Sequence, residues 1–160
     1  MAKKPESADR GSLIALRVAY YGEVAVALLA VVDRGLVRPH FLSAGVGLAL
    51  MAAGLALRIA AGKALGRWWS LRAQITEGQP LVQTGPYRFV RHPAYLGMLM
   101  VCLGIPIAFR SIWAAVVMAL GVWPAVAQRI YVEERLLQSH FGDEYREYAK
   151  RTRRLIPWLF

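Results

Sequence analysis

The chain has 160 residues, 57% of them hydrophobic, and a formal net charge of +10 from 20 Lys and Arg against 10 Asp and Glu. That length holds one domain, and so apolar a composition exceeds what a soluble core of this size buries. The class is therefore membrane, and because the basic residues flank apolar runs they suit anionic lipid headgroups and exclude nucleic acid as the partner.

Met1 to Gly11 is short and polar, and the apolar run after it has no small-residue cleavage site, so Leu13 to Val32 is expected to be a retained first span. Arg17 can snorkel from it, whereas Glu23 cannot and is expected to pair with Arg17 or a neighbouring helix. Asp33-Arg34-Gly35 and Arg38-Pro39 end this span. Phe41 to about Leu65 is a second, in which Gly45, Gly47, Ala53 and Gly54 let helix backbones approach closely. Arg58, Lys63 and Arg67 mark its far end, and Trp68-Trp69 reads as an interfacial anchor.

From Ser70 to His92 the chain turns polar and is punctuated by Gly78, Pro80, Gly85 and Pro86, while Leu81, Val82, Tyr87, Phe89 and Val90 predict that this long loop is ordered. Pro93 to Phe109 and Ile112 to Ala127 predict a tight helical hairpin through Arg110-Ser111, each arm near the lower length limit for a span. Pro106 and Pro124 are expected to bend or end their helices unless neighbours satisfy the freed carbonyls, and the lone Cys102 is expected to pack. From Gln128 onward an amphipathic helical segment, broken at Gly142, is expected at the membrane surface or over the loop.

The expected architecture is all-α, a polytopic transmembrane bundle of about four spans in one domain, 1–160. It divides into two N-terminal spans (1–65), a loop (66–92), a helical hairpin (93–127) and a C-terminal segment (128–160). Four spans put the amino terminus, loop and tail on one side. Lys3, Lys4, Arg10, Arg67, Arg72, Arg88, Arg91 and the final basic cluster predict that this side is cytoplasmic.

The densest polar constellation runs from Gly85 to Gly97. His92 precedes a proline and is held out of the helical region, which puts its ring beside the N–H groups of a helix start, a place for a polar ligand. Spacing alone equally allows Tyr87, Arg91, His92 and Tyr95 to anchor the chain among headgroups. Arg129 and Glu133 lie four apart on one helix face, as a salt bridge or as a site that orients an anionic group and accepts an amino group. His40, His92 and His140 lack metal-ligand spacing, so no metal site is expected, and no Gly-rich dinucleotide fingerprint is present.

The run Gly85-x-Tyr87-x-x-x-Arg91-His92-Pro93-x-Tyr95-x-Gly97, followed by Arg129-x-x-x-Glu133-Glu134, by Phe141-Gly142-x-Glu144-Tyr145-x-x-Tyr148 and by Ile156-Pro157, resembles the isoprenylcysteine carboxyl methyltransferase family. The resemblance implies a membrane methyltransferase that uses S-adenosylmethionine. By position it implies that Leu81, Val82, Tyr87, His92, Pro93, Ala94, Tyr95 and Glu133 contact the cofactor and that Arg129 serves the substrate. Gln79 stands where some members carry histidine, and Gln74 aligns with a cofactor-binding glutamine further upstream. The first two spans carry no such motif and are where substrate selection is expected to differ. The implied acceptor is a lipophilic small molecule or lipid-modified group taken from among the membrane lipids. The alternatives are a phospholipid or small-molecule N-methyltransferase with the same pocket, an NADPH-dependent sterol-type reductase sharing the Arg-His-Pro-x-Tyr-x-Gly block, and a non-enzymatic membrane anchor.

Overall fold

A computed structural model describes residues 5–32, 40–70 and 75–155, without the side chains of 5–10 and 27–32. Lys3, Lys4, Arg34, Arg38, Arg72, Gln74 and Ile156-Pro157 lie outside the described residues. The helices are α1 (Pro5–Val32), α2 (Phe41–Leu65), α3 (Pro93–Phe109), α4 (Ile112–Val117), α5 (Trp123–Phe141) and α6 (Asp143–Arg151). Short 3₁₀ turns cover Gly66–Trp68 and Gly85–Arg88.

Among the described residues, Phe41–Trp68 and Ile112–Phe141 are long and apolar enough to cross a membrane, and Pro93–Phe109 is a shorter apolar helix. Phe41, Leu42, Val46, Leu48 and Ile59 on α2, and Ile112, Trp113 and Leu120 further on, stay exposed. A soluble monomer does not leave so long an apolar stripe in water.

α2 and α3 meet along a seam with no room for side chains. A Cβ on Gly54 would lie 2.5 Å from the Gly97 carbonyl oxygen, and one on Gly47 would lie 2.6 Å from that of Gly104. These glycines recur a heptad apart on each helix, so the backbones touch where lipid supplies no hydrophobic drive. Gly45 meets nothing within 4 Å, and Ala53 is exposed, so only two of the four small residues of α2 serve the seam.

The hairpin forms as expected. α3 ends on Arg110 in the left-handed region, and the Ser111 hydroxyl accepts from Ala114 N at 3.2 Å to cap the next helix. Neither proline ends its helix, because α3 runs past Pro106 to Phe109, and Ile112–Phe141 is one 30-residue helical run. A π turn at Met118–Val122 stands just before Trp123-Pro124, and its wider ladder accommodates the N–H that proline lacks. The expected boundary at Ala127 is thus no break, and the charged segment after it extends the same rod. Gly142, with φ +53, makes the break before α6.

Met98, Leu99, Cys102, Val122, Val126, Ile130 and Leu155 form the core between α3 and α5, so Cys102 does pack. Glu23 departs from expectation. It is 1% exposed and is not paired with Arg17; the group it faces is the Cys102 thiol on the neighbouring α3, a weak donor, and neither oxygen makes a close hydrogen bond.

Candidate functional site

The segment before α3 is held from both sides. Its backbone pairs with the chain that follows α6: Arg91 N donates to Arg153 O at 2.7 Å, and His92 N to Arg154 O at 3.0 Å. The 3₁₀ turn Gly85–Arg88 leads into it, and Tyr148 Oη fastens that turn by donating to Tyr87 O at 2.7 Å.

His92 is the N-cap of α3, with the non-helical backbone that a following proline demands. Its own carbonyl accepts from Tyr95 N and Leu96 N, so those N–H groups are not available beside the ring. What the ring offers instead is Nε2, which is buried without a hydrogen-bond partner, 3.6 Å from Glu134 Oε1. Nδ1 lies 3.8 Å from Glu133 Oε2.

Arg129 and Glu133 do form the i,i+4 pair, at 3.1 Å. Tyr95 Oη donates to the same Glu133 oxygen at 2.5 Å. Arg129 Nη1 donates to Ser12 Oγ at 3.0 Å, which ties α1 to α5. Arg129 is wholly buried and does not line the cavity described below, so it reaches the cavity through Tyr95 and Glu133.

Glu134 fastens loop and tail to α5. It accepts from Arg91 Nε at 2.9 Å and from Arg154 Nε at 2.8 Å. Arg91 also donates to the carbonyls of Thr152 and Ala149 at 2.6 and 3.0 Å. The Arg91 bonds are shielded from water while Arg154 is partly exposed, and such charge-assisted bonds are strong enough to fix the loop against the tail.

These elements enclose a cavity of about 480 Å³, a size typical of small-molecule sites. Gln79, Leu81, Val82, Tyr87, His92, Ala94, Tyr95 and Glu133 all line it, whereas Pro93 is buried in the helix start. Gln79 is steadied by Thr76 N, which donates to its Oε1 at 3.1 Å. The structure adds residues that the sequence reading had placed elsewhere or left without a role. Trp68 and Trp69, read as lipid anchors, are in the wall, as are Phe141, Tyr145 and Tyr148. The amphipathic pattern of α6 made its apolar face legible but not its target.

Tyr145 Oη is buried without a hydrogen-bond partner, a second unmet polar atom among the cavity residues. Burial pushes the phenols of Tyr87 and Tyr145 up, with nearby Glu133 and Tyr148 adding to it at Tyr87 and Glu134 at Tyr145. Both rings are therefore neutral, serving as hydrogen-bonding groups and π faces rather than as bases.

The sequence profile of the isoprenylcysteine carboxyl methyltransferase (ICMT) family matches residues 46–139. The chain belongs to this family. The matched stretch runs from α2 almost to the end of α5, so Ser12 on α1 and the tyrosines of α6 join the site from outside it. The chain is 33% identical over 124 residues to protein-S-isoprenylcysteine O-methyltransferase A of Arabidopsis thaliana, covering 76% of this chain and 63% of that protein. It is 46% identical over 79 residues to methanethiol S-methyltransferase 1 of Bradyrhizobium diazoefficiens, covering 45% of this chain and 24% of the other. The structure of the eukaryotic intramembrane Ras methyltransferase ICMT shares the fold over 99% of this chain and 55% of that one, with TM-score 0.67 at 23% identity. The chain thus spans less than two thirds of the length of these relatives.

Proposed function

We propose that this ICMT-family chain is an integral-membrane methyltransferase that draws S-adenosylmethionine from the cytoplasm and an amphiphilic acceptor from the bilayer. One domain, 1–160, crosses the membrane four times, through α1, α2, α3 and the first part of the Ile112–Phe141 run. The amino terminus, the loop and the tail face the cytoplasm. The observation that supports this reading is one cavity lined by Glu133, His92 and Tyr145, in which His92 Nε2 and Tyr145 Oη lack a close hydrogen bond.

The residues fit the cofactor's chemistry. Glu133 offers a carboxylate to an α-amino group, with Oε1 already oriented by Tyr95 and Arg129. His92 Nε2 and Tyr145 Oη face the Glu134 carboxylate without a close hydrogen bond, and such buried atoms are costly unless a ligand or water completes their bonding. Leu81, Val82 and the aromatic walls suit the apolar faces of a nucleoside, with Gln79 and Ala94 completing that side. When bound, S-adenosylmethionine supplies a methyl group on a cationic sulfonium. The faces of Tyr87 and Tyr95 stabilise positive charge at close range. Arg129 is a positioning residue that holds Glu133 and Tyr95 in place from behind.

An ionised carboxylate acceptor needs no base, so the protein's task is alignment and the exclusion of water. We therefore read the acceptor as an isoprenylcysteine-like carboxylate. The similarity to a methanethiol S-methyltransferase supports a second reading, S-methylation of a thiol in the same pocket.

Calorimetric titration of the detergent-purified chain with S-adenosylhomocysteine, and in parallel with NADPH, tests the cofactor. Saturable binding of the first is expected, and Glu133→Ala should weaken it about 10- to 100-fold, the worth of one charge-assisted hydrogen bond. Binding of NADPH alone, or an unchanged affinity in the variant, would overturn the assignment.

A further inference from the structure

We propose that Ser12 on α1 is a positioning residue of the methyl-transfer site: its hydroxyl sets the guanidinium of Arg129 and, through it, the Glu133 carboxylate. The proposal rests on the methyltransferase reading of the cavity and adds to its machinery a helix that stands outside the matched family stretch.

Ser12, Leu16, Ala19 and Glu23 recur at the spacing of one helical face. Ser12 and Glu23 are buried, and Leu16 and Ala19 pack against the core between α3 and α5. The height of Ser12 against α5 is therefore fixed by the packing of α1 rather than by Ser12 alone. At that height its hydroxyl oxygen, which carries two lone pairs, accepts from Arg129 Nη1 at 3.0 Å.

The guanidinium of Arg129 is planar and is gripped at two corners. Nε donates to Glu133 Oε1 at 3.1 Å and to Tyr95 Oη at 3.2 Å, while Nη1 donates to Ser12. A hold on Nε alone lets the plane turn about that corner, and a second hold fixes it. Glu133 and Tyr95 line the cavity, whereas Ser12 and Arg129 stand behind them. The chemistry of the second corner matters as well. A neutral hydroxyl orients the cation without neutralising it, whereas a carboxylate in its place would compete with Glu133 for the same charge. With serine there, the charge of Arg129 stays directed at Glu133 and holds that carboxylate where the cofactor's amino group is to meet it.

The test uses the full chain in detergent, titrated calorimetrically with S-adenosylhomocysteine while its unfolding midpoint is followed in parallel. Ser12→Ala is expected to weaken binding about 3- to 10-fold, a part of what a charge-assisted hydrogen bond is worth. Ser12→Thr, which keeps the hydroxyl, should stay within about twofold of the unmodified protein. Ala19→Gly loosens the same face of α1 without touching Arg129, and should lower the unfolding midpoint with unchanged affinity. In a Glu133→Ala background, Ser12→Ala should have no further effect on binding, because the hydroxyl acts only through that carboxylate. Full affinity in Ser12→Ala, or a Ser12→Ala chain that does not fold, overturns the proposal. An equal loss in Ser12→Thr or Ala19→Gly also overturns it, since packing of α1 and not the hydroxyl would then set the affinity. So do losses that multiply when Ser12→Ala and Glu133→Ala are combined. An unmodified protein that does not bind S-adenosylhomocysteine sinks the methyltransferase reading instead, so the two failures are distinguishable.

Discussion

The two sides of the cavity are built on opposite rules. Where α3 begins and α5 ends, nearly every charge is answered: Glu134 by Arg91 and Arg154, Glu133 by Arg129 and Tyr95. Toward α1 and α2 the charges lack answers. Arg58 has one long bond to a carbonyl, and Glu23 faces only the weak Cys102 thiol. A matched lattice fixes geometry before a ligand arrives, which suits a cofactor that must be aligned the same way in every turnover. Unmatched groups cost stability, and they persist where a ligand answers them or where selection tolerates the loss.

The largest effect expected from this contrast is at Glu134. Glu134→Ala leaves the guanidiniums of Arg91 and Arg154 without their carboxylate and unties loop from tail. Breaking such a shielded pair from one side costs about 3–5 kcal/mol, to be read as a lower unfolding midpoint in detergent. S-adenosylhomocysteine affinity should fall with it, because the backbone of His92 is held by the same tail. A loss within the ~0–1 kcal/mol of an exposed ion pair would mean that the clamp is not rigid, and the contrast would disappear.

Glu23→Met should go the other way. Replacing a buried carboxyl that only a weak thiol answers by an apolar side chain of similar reach removes a penalty of about 1–3 kcal/mol, so the variant should unfold at higher temperature with unchanged S-adenosylhomocysteine affinity. A less stable variant would give Glu23 a structural partner. A stable one that no longer transfers methyl groups would make it part of the acceptor site.

What the sequence disclosed follows the same division. Local signals were enough for the α2 and α3 bounds and the Arg110-Ser111 hairpin, because a proline at the first helical position and a polar break between apolar runs each act over a turn or two, whereas the eight cavity residues were marked by the family resemblance. Contacts across the chain were not legible. Nothing local announces that residues 152–155 pair with the segment before α3, that Ser12 meets Arg129, or that Trp68 and Trp69 turn inward. The π turn before Pro124 was missed for a related reason: a proline states that a hydrogen bond is lost, not how the helix absorbs the loss. Arg58 read as the end of a span because its place in the cavity lining depends on a glycine that stands 39 positions away on another helix.

The smallest expected effect tests the matched wall most cleanly. Tyr148→Phe removes one hydroxyl, the donor to Tyr87 O, and should cost about 1 kcal/mol, the net worth of a buried neutral hydrogen bond. The pH dependence identifies the cause. Burial pushes the Tyr148 phenol up to about 12, against the lowering pull of Arg91 and of its hydrogen bond with Thr152. A group whose pKa is raised on folding contributes its full stability below the unfolded value of about 10. That contribution is lost as pH rises through about 12. The gap between Tyr148→Phe and the unmodified protein should therefore stay flat from neutral pH to about pH 9 and shrink only above about pH 10. A gap that changes near neutrality would mean that the hydroxyl acts through some other group rather than through the Tyr87 carbonyl, and that the loop is held by charge instead of by this bond.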